Sequence, residues 1–418
     1  MLAFTFPGQG SQRPGMGRAW VDHPSWEVVD EASDVAGRDV SRLLLEAEQA
    51  ELTRTANAQL CTYALSLVAL DAIERMGIAP TICAGHSLGE YTALTASGAL
   101  AFEDGIRLVL ERGDAMHDAA EGRTGTMAAV LGADDDAVDA ACQRAEGEVW
   151  VANYNAPGQV VIAGEPEAVA RAGDIAKTTG ARKVLALPVA GAFHTPLMAP
   201  ARARLRKALS DTPFGDLEVP VVANVDARVH AEAAEWPGLL SAQLCGPVRW
   251  RQTLGALDEL GTSAVVEVGT GGVLTGLARR VLPDARSLSI ATPDDLQTLV
   301  EAISGSETWH AYAAAHQGEY LYTSERVVVS PASGVFAPDP SVDAPGPGNG
   351  GPGAPGTPAA GAVADAAAGN DVAVGDLLGR VGASEVRTPF EGRVVGFLVH
   401  PGERVTAGQP VAWLRVRP

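Results

Sequence analysis

The sequence predicts an α/β fold. A large α/β domain carries an inserted ferredoxin-like small domain, and an all-β module follows near the C-terminal end. Three observations carry this reading. Strand-like and helix-like segments alternate from residue 1 to about 300. Between 125 and 190 the order becomes β-α-β-β-α-β, the split pattern of a small two-layer domain. Composition then breaks at 337–370, a Pro/Gly/Ala-rich stretch with almost no large apolar residue, and short Gly-punctuated strands resume after it.

The elements follow in order. LAFTF (2–6) reads as the first strand, and residues 59–76 as a helix closed by Gly77. TICAGH (81–86) is a short buried strand, with a helix from about 88. In the inserted segment TMAAVL (126–131) is a strand and Asp134 to Ala145 a helix. EVWVANYN (148–155) and QVVIAG (159–164) form a hairpin across a Pro-Gly turn. A helix at 166–179 leads into RKVLALPV (182–189). AVVEVG (264–269) and a helix near 273–280 return to the α/β pattern. The expected boundaries are 1–122 and 196–305 for the large domain and 123–195 for the small one. The β-module is expected at 326–336 and 371–418, interrupted by a flexible linker at 337–370.

Composition bounds the function. A chain of 418 residues exceeds one ordinary core. Hydrophobic residues are 46% of the chain and aromatics only 5%, so Ala, Val and Leu must build the core. A net charge of −20 argues against nucleic acid and anionic membranes as partners. The four cysteines are scattered, with no CxxC pair, so neither a disulfide framework nor a metal site is expected. The N-terminal stretch lacks the pattern of a signal peptide, and apolar runs such as ALSLVAL (64–70) are short of a membrane span. The expectation is a soluble, cytoplasmic protein.

The chemistry centres on GHSLG (85–89). A strand, this turn and then a helix make a nucleophile elbow of the kind found in hydrolase-like α/β folds. Residues two before and two after the serine crowd each other, and Gly85 and Gly89 remove that clash. Ser87 would then stand at a strand end, facing the amides of a helix start. On these residues alone, a structural turn is the competing reading. A serine hydroxyl needs a base. His86 adjoins it, but neighbouring side chains at a sharp turn diverge. His194, in VAGAFHTPLM (189–198), lies where the inserted segment rejoins the large domain, a natural cleft edge. A buried core histidine is the alternative. Arg112, after Glu111 in IRLVLER (106–112), reads on its own as a solvated helix charge.

FPGQGSQ (6–12), GHSLGEY (85–91), ERG (111–113), GAFHT (191–195) and QLCGPVRW (243–250) occur in one order. Together they resemble the malonyl-CoA:acyl carrier protein transacylases, the acyltransferases of fatty acid and polyketide synthesis, over about residues 1–300. That resemblance implies the remaining roles. Ser87 would carry the acyl group and His194 would act as base. The backbone carbonyl of Gln243 would orient the imidazole. The backbone N–H groups of Gln9 and Leu88 would form the oxyanion hole. Arg112 would pair with the malonate carboxylate, and Phe193 beside the base would favour malonyl over bulkier acyl groups. The substrates implied are malonyl-CoA and the phosphopantetheine arm of an acyl carrier protein, with no bound cofactor or metal. RARLRK (202–207) is a candidate docking patch for that acidic partner. The alternatives are a serine thioesterase or hydrolase on the same elbow, and a trans-acting polyketide acyltransferase with another extender unit.

A second resemblance covers the tail. SPASGVF (330–336), VGDLL (374–378) and the run from GRVV (392–395) through GQP (408–410) are similar to biotinyl/lipoyl-like carrier domains. Those domains display a lysine on a hairpin tip. Here VGASEV (381–386) stands at that place, and the last lysine of the chain is Lys207. No biotin or lipoate is expected, and the module is expected to dock a synthase component or a second copy.

Overall fold

The computed structural model describes residues 1–189, 191–304, 325–342 and 371–416. It divides into two compact units, one of 1–72 and 80–299, the other of 73–79 and 300–418.

The first unit opens with strand β1 (Leu2–Phe6) and three short helices, α1 (Glu27–Ala36), α2 (Val40–Leu45) and α3 (Gln49–Leu52). Helix α4 (Thr55–Glu74) starts four residues before the expected position. It is long and apolar enough to cross a membrane by length and composition, but most of it is buried in the fold. Leu60, Tyr63, Ala64, Leu65 and Val68 are all buried, as expected of a core helix apolar on every side. Strand β2 (Ile82–Gly85) leads to α5 (Gly89–Ala96), and α6 (Phe102–Gly122) follows.

The inserted segment has the expected order: β3 (Thr126–Leu131), α7 (Asp135–Arg144), β4 (Val149–Ala156), β5 (Gln159–Gly164), α8 (Pro166–Thr178) and β6 (Lys183–Ala186). Its sheet runs β4-β5-β3-β6 and is antiparallel throughout. Strand β6 is four residues long rather than eight, and largely exposed. After it come α9 (Ala199–Asp211), β7 (Val221–Val222), β8 (Val229–His230), α10 (Trp236–Gln243), α11 (Trp250–Glu259), β9 (Ala264–Val268), α12 (Val273–Val281), β10 (Arg286–Ile290) and α13 (Asp294–Ser304).

The large sheet is ordered β10-β9-β1-β2-β7-β8. Its first five strands are parallel, and β8 closes the edge antiparallel to β7. Strands β1, β2 and β9 are buried along their whole length, because helices cover both faces of a parallel sheet. The small sheet is sewn to this body. Asn153 makes a parallel bridge with Val248; Tyr154 N–H donates to Val248 O at 2.9 Å, and Val248 N–H donates to Ala152 O at 2.9 Å. The two sheets therefore belong to one compact unit rather than two separable bodies.

The second unit contains strands in its described C-terminal part: β11 (Glu325–Val329), β12 (Gly334–Pro338), β13 (Asp371–Val372), β14 (Leu377–Val381), β15 (Ser384–Arg387), β16 (Gly392–Phe397), β17 (Arg404–Val405) and β18 (Pro410–Val416). They form two four-stranded sheets, β11-β18-β16-β13 and β15-β14-β12-β17. Phe336, Leu378, Val381, Val394, Phe397, Val411 and Leu414 are among its core. Strand β12 pairs Ala337 with Arg380 and Pro338 with Gly379, so the strand runs two residues into the stretch expected to be linker. Proline is tolerated there because β17 pairs only with Gly334 and Val335, so Pro338 has a ladder partner on one side alone. The rest of that stretch, 343–370, lies outside the described residues.

Candidate active site

Ser87 stands between β2 and α5 with φ +54°. A non-glycine residue in this region stores on the order of 1–3 kcal/mol of strain and persists only where its surroundings dictate it. The two flanking glycines make the turn possible. A Cβ on Gly85 would collide with the carbonyl of Gly89, and a Cβ on Gly89 would collide with the carbonyl oxygen of Phe6 at the end of β1.

His194 lies 107 residues away in sequence, yet its Nε2 is 2.7 Å from Ser87 Oγ. It too has a left-handed backbone, φ +62°, which turns the ring back toward the elbow. Its Nδ1 is 2.9 Å from the backbone carbonyl of Gln243, the last residue of α10. A carbonyl oxygen only accepts, so Nδ1 carries the proton and Nε2 presents its lone pair to the serine. Burial, reinforced by the nearby Arg112 cation, pushes the His194 pKa down to about 3. The free imidazole is therefore neutral at physiological pH.

Arg112 is fully buried on α6 and reaches the same point. Its Nη2 donates to Ser87 Oγ at 3.0 Å and to Gln243 Oε1 at 3.0 Å, and its Nη1 donates to Gln59 Oε1 at 2.7 Å. The Tyr91 ring lies 5.6 Å from the guanidinium carbon, within cation–π range. Arg112 Nε is buried with no hydrogen-bond partner among the described residues. The residue on its own read as a solvated helix charge, and the family resemblance put it at the site; in the fold it is buried there, and every side-chain acceptor it meets is neutral.

The other expected residues fall as follows. Leu88 is buried at the start of α5, where first-turn amides have no intrahelical acceptor. The Ser87 amide points elsewhere, donating to Asn224 Oδ1 at 2.8 Å. Gln9 lies on the turn after β1. That turn is braced by Ser11 Oγ, 3.2 Å from Gly8 O and 3.0 Å from Thr270 Oγ1. Phe193 is buried beside His194, with its ring close enough to Gly191 to exclude a Cβ there. His86 is turned away from the serine. Its Nε2 meets Asn155 Oδ1 at 2.9 Å, and its ring packs edge-on against Trp250.

Sequence reading missed four side chains here: Gln59, Glu90, Asn224 and that of Gln243. Glu90 lies inside GHSLGEY and Gln243 inside QLCGPVRW, so position alone marked two of them. Nothing local marks Gln59 or Asn224 as buried. Within RARLRK, two of the four basic residues have partners in the fold. Arg204 on α9 is taken up by Glu111 and Asp118 at 2.6 Å each, and Arg202 Nε donates to Ser241 Oγ. Among the described residues, no group of three or more His, Cys, Asp or Glu is placed to hold a metal ion.

A serine lifted from a strand–helix turn, beside an imidazole fixed in one tautomer and a buried guanidinium, defines an α/β protein equipped for acyl chemistry at a hydroxyl. The model of the acyl transferase domain matches residues 3–294, and the chain belongs to that family. A malonyl CoA-acyl carrier protein transacylase of Bacillus subtilis is 37% identical over 307 residues, which is 72% of this chain and 97% of that protein. The Escherichia coli K12 protein of the same name is 39% identical over 308 residues, 72% of this chain and 99% of its own. A solved type II polyketide malonyl-transacylase, in complex with its acyl carrier protein, superposes with TM-score 0.70 at 39% identity, covering 72% of this chain and 99% of that one.

Proposed function

We propose that the chain transfers a malonyl group from malonyl-CoA to the phosphopantetheine thiol of an acyl carrier protein, by way of a Ser87 ester. It is an [acyl-carrier-protein] S-malonyltransferase of fatty acid or polyketide synthesis. The observation that carries this reading is the three-way meeting of Ser87 Oγ, His194 Nε2 and the buried Arg112. The hydroxyl gives its proton to His194 while Oγ attacks the thioester carbonyl. The amides of Gln9 and Leu88 receive the oxyanion; one such donor is typically worth about 3 kcal/mol. The C–S bond breaks, and His194 returns the proton to the departing CoA thiolate. The carrier thiol then enters, gives its proton to His194 and attacks the ester, and Ser87 recovers its hydrogen.

Arg112 selects the acyl group. A malonyl carboxylate gives the guanidinium an anionic partner that its glutamine neighbours do not, and the bidentate match adds geometry to charge. An acetyl group offers no such partner, so discrimination against it is large. Phe193 narrows the space next to the base and disfavours a branched acyl chain. This chemistry calls for no bound cofactor, and a cytoplasmic location is consistent with the use of CoA thioesters.

We further infer that the C-terminal strands make a biotinyl/lipoyl-like domain without its modifiable residue. Two features support this: paired four-stranded sheets, and a β14–β15 hairpin with Gly382 and Ala383 at its tip where a lysine would be displayed. Such a domain would serve as a docking or scaffold element for a synthase component or a second copy.

The test is product partition. Purified chain, malonyl-CoA and holo carrier protein should give malonyl-carrier protein in large excess over free malonate. Malonate released at a rate matching transfer would make the enzyme a hydrolase.

A further inference from the structure

Glu90 is buried on α5 beside the elbow, and the chemistry above gives it no task. Its two oxygens are divided between two partners. Oε1 accepts the backbone N–H of Asn224 at 2.6 Å, and Oε2 accepts Gln243 Nε2 at 2.6 Å. Each partner holds part of the reacting group.

Asn224 grips the turn just before the nucleophile. Its Oδ1 accepts the Ser87 amide, and its Nδ2 donates to Gly85 O at 2.6 Å. Gln243 holds the rest. Its Nε2 also donates to Ser87 O at 2.8 Å, its Oε1 accepts Arg112, and its backbone carbonyl fixes His194. Acceptors on one end and a donor on the other leave this amide a single orientation. Backbone on both sides of Ser87, the base and the guanidinium thus all lead back to one carboxylate.

We propose that Glu90 is a positioning residue for acyl transfer: its ionised carboxylate, accepting from Asn224 and Gln243 at once, holds nucleophile and base in one frame. This rests on the roles proposed above for Ser87 and His194. Both contacts are N–H donors, so a protonated Glu90 would set its own O–H among donors, and one of the two short bonds would weaken. Ionisation is finely balanced. Burial raises the Glu90 pKa to about 7, against the lowering effect of the Asn224 amide, the Gln243 side chain and the Arg112 cation from α6. Asp226, beyond β7, pushes it up further. Tyr91, next on the same helix, stays neutral because burial raises its pKa. The ordered frame is therefore complete above that pKa and is lost as pH falls through it. His194, held at about 3, keeps its base form throughout and contributes no limb near neutrality.

The experiment is single-turnover acylation of the full-length protein by malonyl-pantetheine, a donor without the phosphates of CoA, between about pH 5.5 and 8.5. Released thiol reports the rate. The wild-type maximal rate should rise with pH through about 7 and level off. Glu90→Gln replaces one acceptor by a donor. It should lower the maximal rate by roughly 10–100-fold, leave the half-saturating concentration within about twofold, and flatten the limb. Glu90→Asp should regain part of the rate and keep a limb. A wild-type rate flat across the range overturns the proposal whatever the variants do, including a Glu90→Gln protein that fails to fold. So does a folded Glu90→Gln protein with the wild-type limb. Ser87→Ala, run in parallel, separates the two levels: acylation that survives in it sinks the Ser87 reading itself.

Discussion

Two turns in this molecule display a residue at the tip of a strand, and they differ in everything behind the tip. The elbow at 85–89 raises Ser87 into a shell of fixed donors and acceptors: His194, Arg112, Asn224 and Gln243. The hairpin between β14 and β15 turns through Gly382 and Ala383, and its nearest charged groups form an exposed Arg380–Glu385–Arg387 cluster. What separates the two turns is the packing behind them. Only the elbow has buried partners that fix a tautomer, place a cation and hold a strained backbone.

That contrast can be broken in graded ways. The largest effect belongs to the elbow's hydroxyl. Ser87→Ala should lower malonyl transfer by more than about 10⁴-fold without unfolding the protein, measured as malonyl-carrier protein formed per minute. Arg112→Ala comes next. Malonyl transfer should fall by about 10²–10³-fold while acetyl transfer falls far less, so the malonyl-to-acetyl ratio of kcat/KM collapses. An unchanged ratio would remove Arg112 from substrate selection.

The glycines of the two turns give a smaller, stability-based comparison. Gly85→Ala forces a Cβ into the Gly89 carbonyl and should destabilise the protein by more than about 3 kcal/mol, read by chemical denaturation. Gly382, unlike Gly85, has positive φ, +60°, but meets nothing within 4 Å, so Gly382→Ala should cost only about 1 kcal/mol. The smallest effect is expected from Ala383→Ser at the hairpin tip, which should leave kcat and KM for transfer within about twofold.

Much of this was legible in the chain. Periodicity located β1, β3, β5 and β9 to within a residue, because alternation and glycine punctuation are local properties. Ser87 and His194 were legible through their motifs. What escaped was the buried polar shell. Asn224 sits in VVANVD (221–226), outside every motif read from the sequence, and only the packing of β7 beside β2 reveals its grip on the elbow. Gln59 lies on a helix that also carries Asn57, Thr62 and Ser66, and nothing local singles it out as the partner of Arg112. On the RARLRK helix, likewise, the acids that pair with Arg204 come from α6, some 90 residues earlier. Long-range pairing of polar groups leaves no periodic trace.

The central claim is a covalent one, and intact-mass analysis tests it most directly. Brief mixing of the protein with malonyl-CoA should give a single malonyl adduct that is absent from Ser87→Ala and disappears when holo carrier protein is added, with the carrier gaining the same mass. An adduct that persists in Ser87→Ala, or a wild-type protein that transfers malonyl while never carrying it, would contradict the account.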